Sequence, residues 1–294
     1  MALHHPLVLV EAAVEPRRPE DFVGLKAAMR RFSETTVVLV ADGRIVIGGP
    51  SEQALDDVVA ELKATVKISV GEPQIAYRET VQRIGFGDRT YEAEAGGGDF
   101  ARVRLSVEPA SRSEFVSNIA MERAVLRYVP SIGSAVFRCL EAGVCAGFPM
   151  TDIRVTLHDL AFHPIDSSSA VVFRATVDAM RQALIDAGST LLEPVMAVTV
   201  TAPEDASQAI VSDLRRRRCE DLVADRADDG WAMGAAGRMS EIKAAVPLSA
   251  MLGYWNTLAA LSKARATFEM TFSRFSPVPT SSPDDQFPTS AAMG

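Results

Sequence analysis

"LLEPVMAVTVTAPEDASQAIVSDLRRRR", residues 191–218, reads as a long strand running directly into a helix. Pro203 stands at the junction and Glu204 and Asp205 follow, so the helix opens on a residue with preset φ and on acids that suit the positive end of its dipole. Downstream come two strands, about 219–226 and 238–246, around the turn-rich "ADDGWAMGAAG" (227–237). A helix, "PLSAMLGYWNTLAALSKA" (247–264), and a last strand, "TFEMTF" (267–272), complete the order βαββαβ.

The same order stands at the other end of the chain. "PLVLVEAAV" (6–14) reads as a strand, and 19–33 as a helix with Phe22, Leu25, Met29 and Phe32 on one face. "TTVVLV" (35–40) and "RIVIGG" (44–49) flank Asp42-Gly43, the signature of a two-residue hairpin turn. A helix over 51–64 carries Leu55, Val58, Val59 and Leu62, and "TVKISV" (65–70) closes the unit. Both ends are therefore split-βαβ, or ferredoxin-like, units.

The segment between them is organised differently. Strands are predicted at about 75–83, 89–94 and 101–108, then a helix over 121–142, a strand over 151–162 and a helix over 167–187. Phe173, Val177, Met180 and Leu184 fall at helical spacing on that last helix and read as core. Between strand and helix lies "FHPIDSSS" (162–169), where Pro164 biases His163 away from helical dihedrals and Asp166 with Ser167 reads as the N-cap. The fold class is α+β, divided as 1–72, 73–190 and 191–276, with a Pro-, Ser- and acid-rich tail over 277–294 expected to be disordered.

Composition narrows the function classes. A net charge of −8 and a pI near 5.2 give the whole molecule no nucleic-acid footprint, so any RNA contact must be local. Cys139, Cys145 and Cys219 form no C-x-x-C pair, which favours a reducing compartment over disulfides or zinc. The apolar run Pro6 to Val14 is interrupted by Glu11 and follows no basic cluster, unlike a signal peptide, and no stretch approaches 18 apolar residues. The expectation is a soluble, cytoplasmic protein without membrane association.

Chemical motifs are sparse. No G-x-x-x-x-G-K-[ST] occurs, so no phosphate-cradling loop is expected. "AGGGDF" (95–100) has three glycines between strands, which fits a hairpin tip or a binding loop. His158, Asp159, His163 and Asp166 fit no zinc spacing, and His163 beside Asp166 and Ser167 is better explained by capping than by a nucleophilic triad. Arg215, Arg216, Arg217 and Arg218 end a helix, where cations complement the dipole or could meet RNA phosphate. No catalytic or metal-ligating residue is assigned.

Five collinear stretches resemble bacterial elongation factor G: "GEPQIAYRET" (71–80), "EAGVCAGFPMTDIRVTLHD" (141–159), "FHPIDSSS" (162–169), "LLEPVMAVTV" (191–200) and "PLSAMLGY" (247–254). "VEPRRPEDFVGLKAAM" (14–29) is similar to the start of that factor's third domain. The resemblance covers residues 6–276 as the third, fourth and fifth domains. It implies two ferredoxin-like domains flanking an elongated, ribosomal-protein-like domain IV, whose tip enters the decoding region of the small ribosomal subunit during tRNA and mRNA translocation. His163 falls at the family's tip histidine, with Gly96, Gly97, Gly98, Asp99 and Phe100 on the neighbouring loop. Partners so implied are the ribosome (rRNA and the tRNA/mRNA region) and a GTPase domain in cis or trans, for a monomeric chain. GTP and Mg would be held only by that GTPase domain, leaving no enzyme activity or cofactor here.

Departures are visible too. The family's G-E-L-H-L-E is Ser51-Glu52-Gln53-Ala54-Leu55-Asp56, its tip R-G-Q-Y ends in Asp99-Phe100, and Cys219 follows the arginines. Asp99 would add charge repelled by RNA phosphate. The alternative reading is a divergent, GTPase-less paralogue serving as a protein-interaction or ribosome-assembly module.

Overall fold

The computed structural model describes residues 7–29, 37–41, 44–92, 99–119, 123–143, 146–163, 167–226 and 238–279. The chain divides into two compact units, 1–192 with 278–294, and 193–277.

The first unit opens with β1 (Val10–Pro16), α1 (Asp21–Met29), β2 (Val37–Ala41), β3 (Arg44–Gly49), α2 (Glu52–Thr65) and β4 (Ile68–Val70). Strand order is β2-β3-β1-β4, antiparallel at each pairing, with the short β5 (Gln74–Ile75) also on β1. Leu55, Val58, Val59 and Leu62 are buried, as their spacing requires, against a core that includes Leu9, Leu25, Ile45 and Ile47. Ser51 caps α2, its Oγ accepting from Ala54 N at 3.1 Å. Phe32 and the Asp42-Gly43 turn lie outside the described residues.

The same unit continues with β6 (Arg78–Val81), β7 (Gly85–Glu92), β8 (Phe100–Pro109), β9 (Glu114–Ser117), α3 (Arg123–Leu126), α4 (Val129–Glu141), β10 (Ile153–Phe162) and α5 (Ser169–Ala187). The sheet runs β7-β8-β10-β9. β9 is parallel to β10 and was not expected, because its four residues carry no alternation long enough to read. The single helix expected over 121–142 is two, broken by a turn at Arg127–Tyr128 ahead of Pro130. Met180 and Leu184 are core as expected, but Phe173 and Val177 are only half-buried. The buried face of α5 is instead rich in alanine (Ala175, Ala179, Ala183, Ala187), because β7 presents glycine to it. A Cβ on Gly87 would lie 2.0 Å from Ala179 O, and one on Gly85 2.2 Å from Ala183 O.

The chain then forms β11 (Ser189–Pro203), α6 (Glu204–Arg216), β12 (Glu220–Arg226), β13 (Met239–Pro247), α7 (Leu248–Met251), α8 (Tyr254–Ser262) and β14 (Thr267–Pro277). Residues 189–192 of β11 pair with β6. The second unit's order is β12-β13-β11-β14, the first sheet's order repeated. The helix expected over 247–264 is interrupted at Leu252–Gly253, where Gly253 takes φ 66. β14 ends at Pro277, and Val278 N donates to Leu191 O at 2.9 Å within the first unit. Residues 280–294 and 227–237 lie outside the described residues.

Candidate functional site

β8 starts and β10 ends at the same end of the middle sheet, since Phe162 pairs with Ala101 and Glu92 of β7 with Phe100. α5 begins beside them. Its N-cap is Ser168, whose Oγ accepts from Val171 N at 3.3 Å, correcting the assignment to Asp166 and Ser167. Ser167 has a different task. Its Oγ accepts from His163 N at 2.7 Å and donates to Phe100 O, while Ser167 N donates to His163 O at 3.1 Å. Asp99 Oδ1 accepts from Ser168 N at 2.8 Å and Oδ2 accepts from the Ser168 hydroxyl at 3.3 Å. The structure thus brings Asp99, Phe100 and the exposed His163 to one place. Gly96, Gly97, Gly98 and Asp166 lie outside the described residues.

Aromatic packing supports this junction from below. The Tyr128 hydroxyl donates to Ser167 O at 2.8 Å and accepts from Arg127 Nη2. Tyr128 meets Phe162 edge-on with centroids 5.0 Å apart, and the Arg127 guanidinium lies 4.5 Å from the Tyr128 ring centroid. That is cation–π range. Arg127 and Tyr128 were not singled out from sequence, because they sat inside what read as an uninterrupted helix.

The open face of the same sheet is ion-paired within itself. Arg102 grips Asp88 through two bonds of 2.8 and 2.6 Å, Arg104 meets Asp159 at 3.2 Å, and Arg154 reaches Glu114 at 2.6 Å and Glu108 at 3.3 Å. The Arg102 bond holds the Asp88 carboxyl below its ordinary range, and the Arg154 bond does the same for Glu114. His158 Nε2 lies 2.8 Å from Ser106 Oγ, so His158 and Asp159 face separate partners. Among the described residues no three His, Cys, Asp or Glu side chains are grouped to hold a metal ion.

The four arginines at the end of α6 do not form one phosphate-facing cluster. Arg217 Nε donates to Asp213 at 2.6 Å and Nη2 to Thr257 Oγ1 at 3.1 Å; Nη1 reaches Ala250 O, and the guanidinium lies 4.8 Å from the Tyr254 ring centroid. Arg218, at φ 61, forks onto Glu193 at 2.8 and 3.1 Å and touches Ser249 Oγ at 3.2 Å. Both guanidinium groups are committed to partners within this unit, Arg217 half-buried and Arg218 at the surface. Arg215 is exposed, and Arg216, 75% exposed, keeps only a 3.5 Å contact to Asp213.

Two split-βαβ sheets and a middle α+β sheet are the architecture of a translational elongation factor, and direct comparison agrees. Residues 73–188 match the family model for elongation factor G, domain IV, and residues 190–286 match that for the elongation factor G C-terminus. Elongation factor G of Cereibacter sphaeroides (strain KD131) is 36% identical over 293 residues, covering 95% of this chain and 40% of that protein. That of Paracoccus denitrificans (strain Pd 1222) is 34% identical with the same coverage. A Thermus thermophilus crystal structure is similar at a TM-score of 0.66 and 26% identity, over 94% of this chain and 42% of that one. The chain belongs to the elongation factor G family, and it spans about two fifths of the length of these curated relatives.

Proposed function

We propose that this chain is the ribosome-binding C-terminal part of an elongation factor G-like translation factor. It acts in translocation or a related ribosomal step through the loops that carry Asp99, Phe100 and His163. The observation that carries the reading is the junction at Ser167, which presents the exposed His163 beside the glycine-loop strand on a supported base. An imidazole there can donate, accept or stack on a splayed base. The partner is the ribosome, met locally by the tip and by Arg215 and Arg216, since the net charge of −8 gives no general attraction to RNA. GTP hydrolysis would belong to a GTPase domain in cis or trans, and the compartment is the cytoplasm.

Cosedimentation of the chain with ribosomes across a salt series tests this. Saturable association that weakens with salt is expected, and His163→Ala is expected to weaken it while shifting stability by less than about 0.5 kcal/mol. Absence of ribosome association at low salt would overturn the reading.

A further inference from the structure

We propose that Asp99 is a positioning residue that latches the start of β8 to helix α5, so that its charge is engaged by the helix N-terminus and not offered to RNA. The inference rests on the reading of these loops as a ribosome-facing tip.

Helix ends explain why the latch exists. A helix N-terminus leaves backbone N–H groups without intrahelical partners. In a capping box, a Glu or Gln three residues into the helix reaches back to the N–H of the N-cap residue. In α5 the N-cap is Ser168 and the third residue after it is Val171, which has no acceptor to offer. Asp99, 69 residues earlier in the chain, takes that part: its Oδ1 accepts from Ser168 N at 2.8 Å. The Ser168 hydroxyl donates to Asp99 Oδ2 at 3.3 Å and accepts from Val171 N at 3.3 Å, so the two caps act in series. A carboxylate there also meets the positive end of the helix dipole. Ser167, one residue earlier, adds its bonds to Phe100 O and His163 N. Asp99, Phe100, His163, Ser167 and Ser168 are therefore held together, with the Asp99 carboxylate supplying two of the bonds.

Charge alone predicts the opposite consequence. A carboxylate facing phosphate weakens association, so removing it should strengthen binding and steepen its salt dependence. A latch gives the other sign. Without Asp99 the start of β8 loses its bond to α5, His163 loses its supported neighbour, and association weakens with the salt slope unchanged.

The test uses the full chain with Asp99→Ala, Asp99→Asn and Ser167→Ala, and two readouts. Amide hydrogen exchange needs no ribosome: Asp99→Ala should speed exchange at Ser168 about five-fold, the size of one lost cap bond, and leave Ala179 in mid-helix unchanged. Asp99→Asn, which keeps an acceptor, should fall between, and Ser167→Ala should speed exchange at His163. In ribosome cosedimentation, Asp99→Ala should weaken association several-fold at constant salt slope, with partial rescue by Asp99→Asn. Unchanged exchange at Ser168, or tighter binding with a steeper slope, overturns the latch. If the unaltered chain fails to cosediment, the ribosome reading falls while the exchange result still decides whether Asp99 fastens the loops.

Discussion

The first split-βαβ sheet (β2-β3-β1-β4) and the last (β12-β13-β11-β14) share a strand order yet fasten a helix in different ways, the second helix α2 in the first and the leading helix α6 in the last. In the first, α2 is fastened at its start by a neutral cap, Ser51, and the rest of its hold is aliphatic burial. In the last, α6 starts on Pro203 without a side-chain cap, with an exposed Asp205–Arg265 pair. It is held at its finish, where Arg217 bonds Asp213, Ala250 of α7 and Thr257 of α8 and Arg218 bonds Glu193 of β11. One topology therefore tolerates two solutions, a cap or an ionic clasp. They fail differently: a missing cap exposes one N–H to water, whereas a broken clasp strands a charge in the interior.

The largest effect should come from breaking the clasp at Arg217. Arg217→Ala leaves Asp213, whose side chain is 12% exposed, without its close partner and is expected to cost about 3 kcal/mol. Both tryptophans, Trp231 and Trp255, lie in 193–277, so tryptophan emission during a melt should report this loss. Exchange in α2 should stay unchanged. Glu193→Gln should cost less, about 2 kcal/mol in the same emission-monitored melt, because Arg218 is 46% exposed and regains water when its two bonds weaken. Ser51→Ala should cost about 1 kcal/mol, read as faster exchange in α2 with the tryptophan transition unmoved.

Alkaline pH should sharpen the same contrast. Burial pushes the Tyr254 hydroxyl up to about 12 from its ordinary 10.0, with Asp213 adding to the shift and Arg217 opposing it. The unfolded chain releases this proton near pH 10 and the folded one holds it, so the contribution is intact below 10 and is lost as pH climbs toward 12. Tyr254→Phe should abolish that loss in the second unit. At pH 7 it should change stability by less than about 0.5 kcal/mol, since the buried hydroxyl has no hydrogen-bond partner among the described residues.

Both βαββαβ orders could be read from the sequence because alternation, helical spacing and turn residues are local signals. Leu55, Val58, Val59 and Leu62 fell on the buried face for that reason. What escaped was held by partners distant in sequence. Arg217 and Arg218 looked like a solvated run until the fold placed Thr257 and Glu193 against them, 40 and 25 residues away. Asp99 looked like a charge offered to phosphate until Ser168, 69 residues away, received it. The cap moved from Asp166 and Ser167 to Ser168 because Ser167 is drawn to Phe100 O. The alanine face of α5 escaped because a hydrophobic-periodicity reading favours Phe173 and Val177 over residues whose value is their smallness.

That smallness has a mechanical meaning. Where Gly85 and Gly87 face Ala183 and Ala179, strand and helix touch backbone to backbone, with no side chain between them to rotate or yield. α5 begins at the junction that holds His163 and ends 19 residues later at Ala187, a rod of about 28 Å at helical rise. Packed on β7 in this way, the rod sits at a spacing set by main-chain contact, which a single added methyl at Gly85 or Gly87 would force apart.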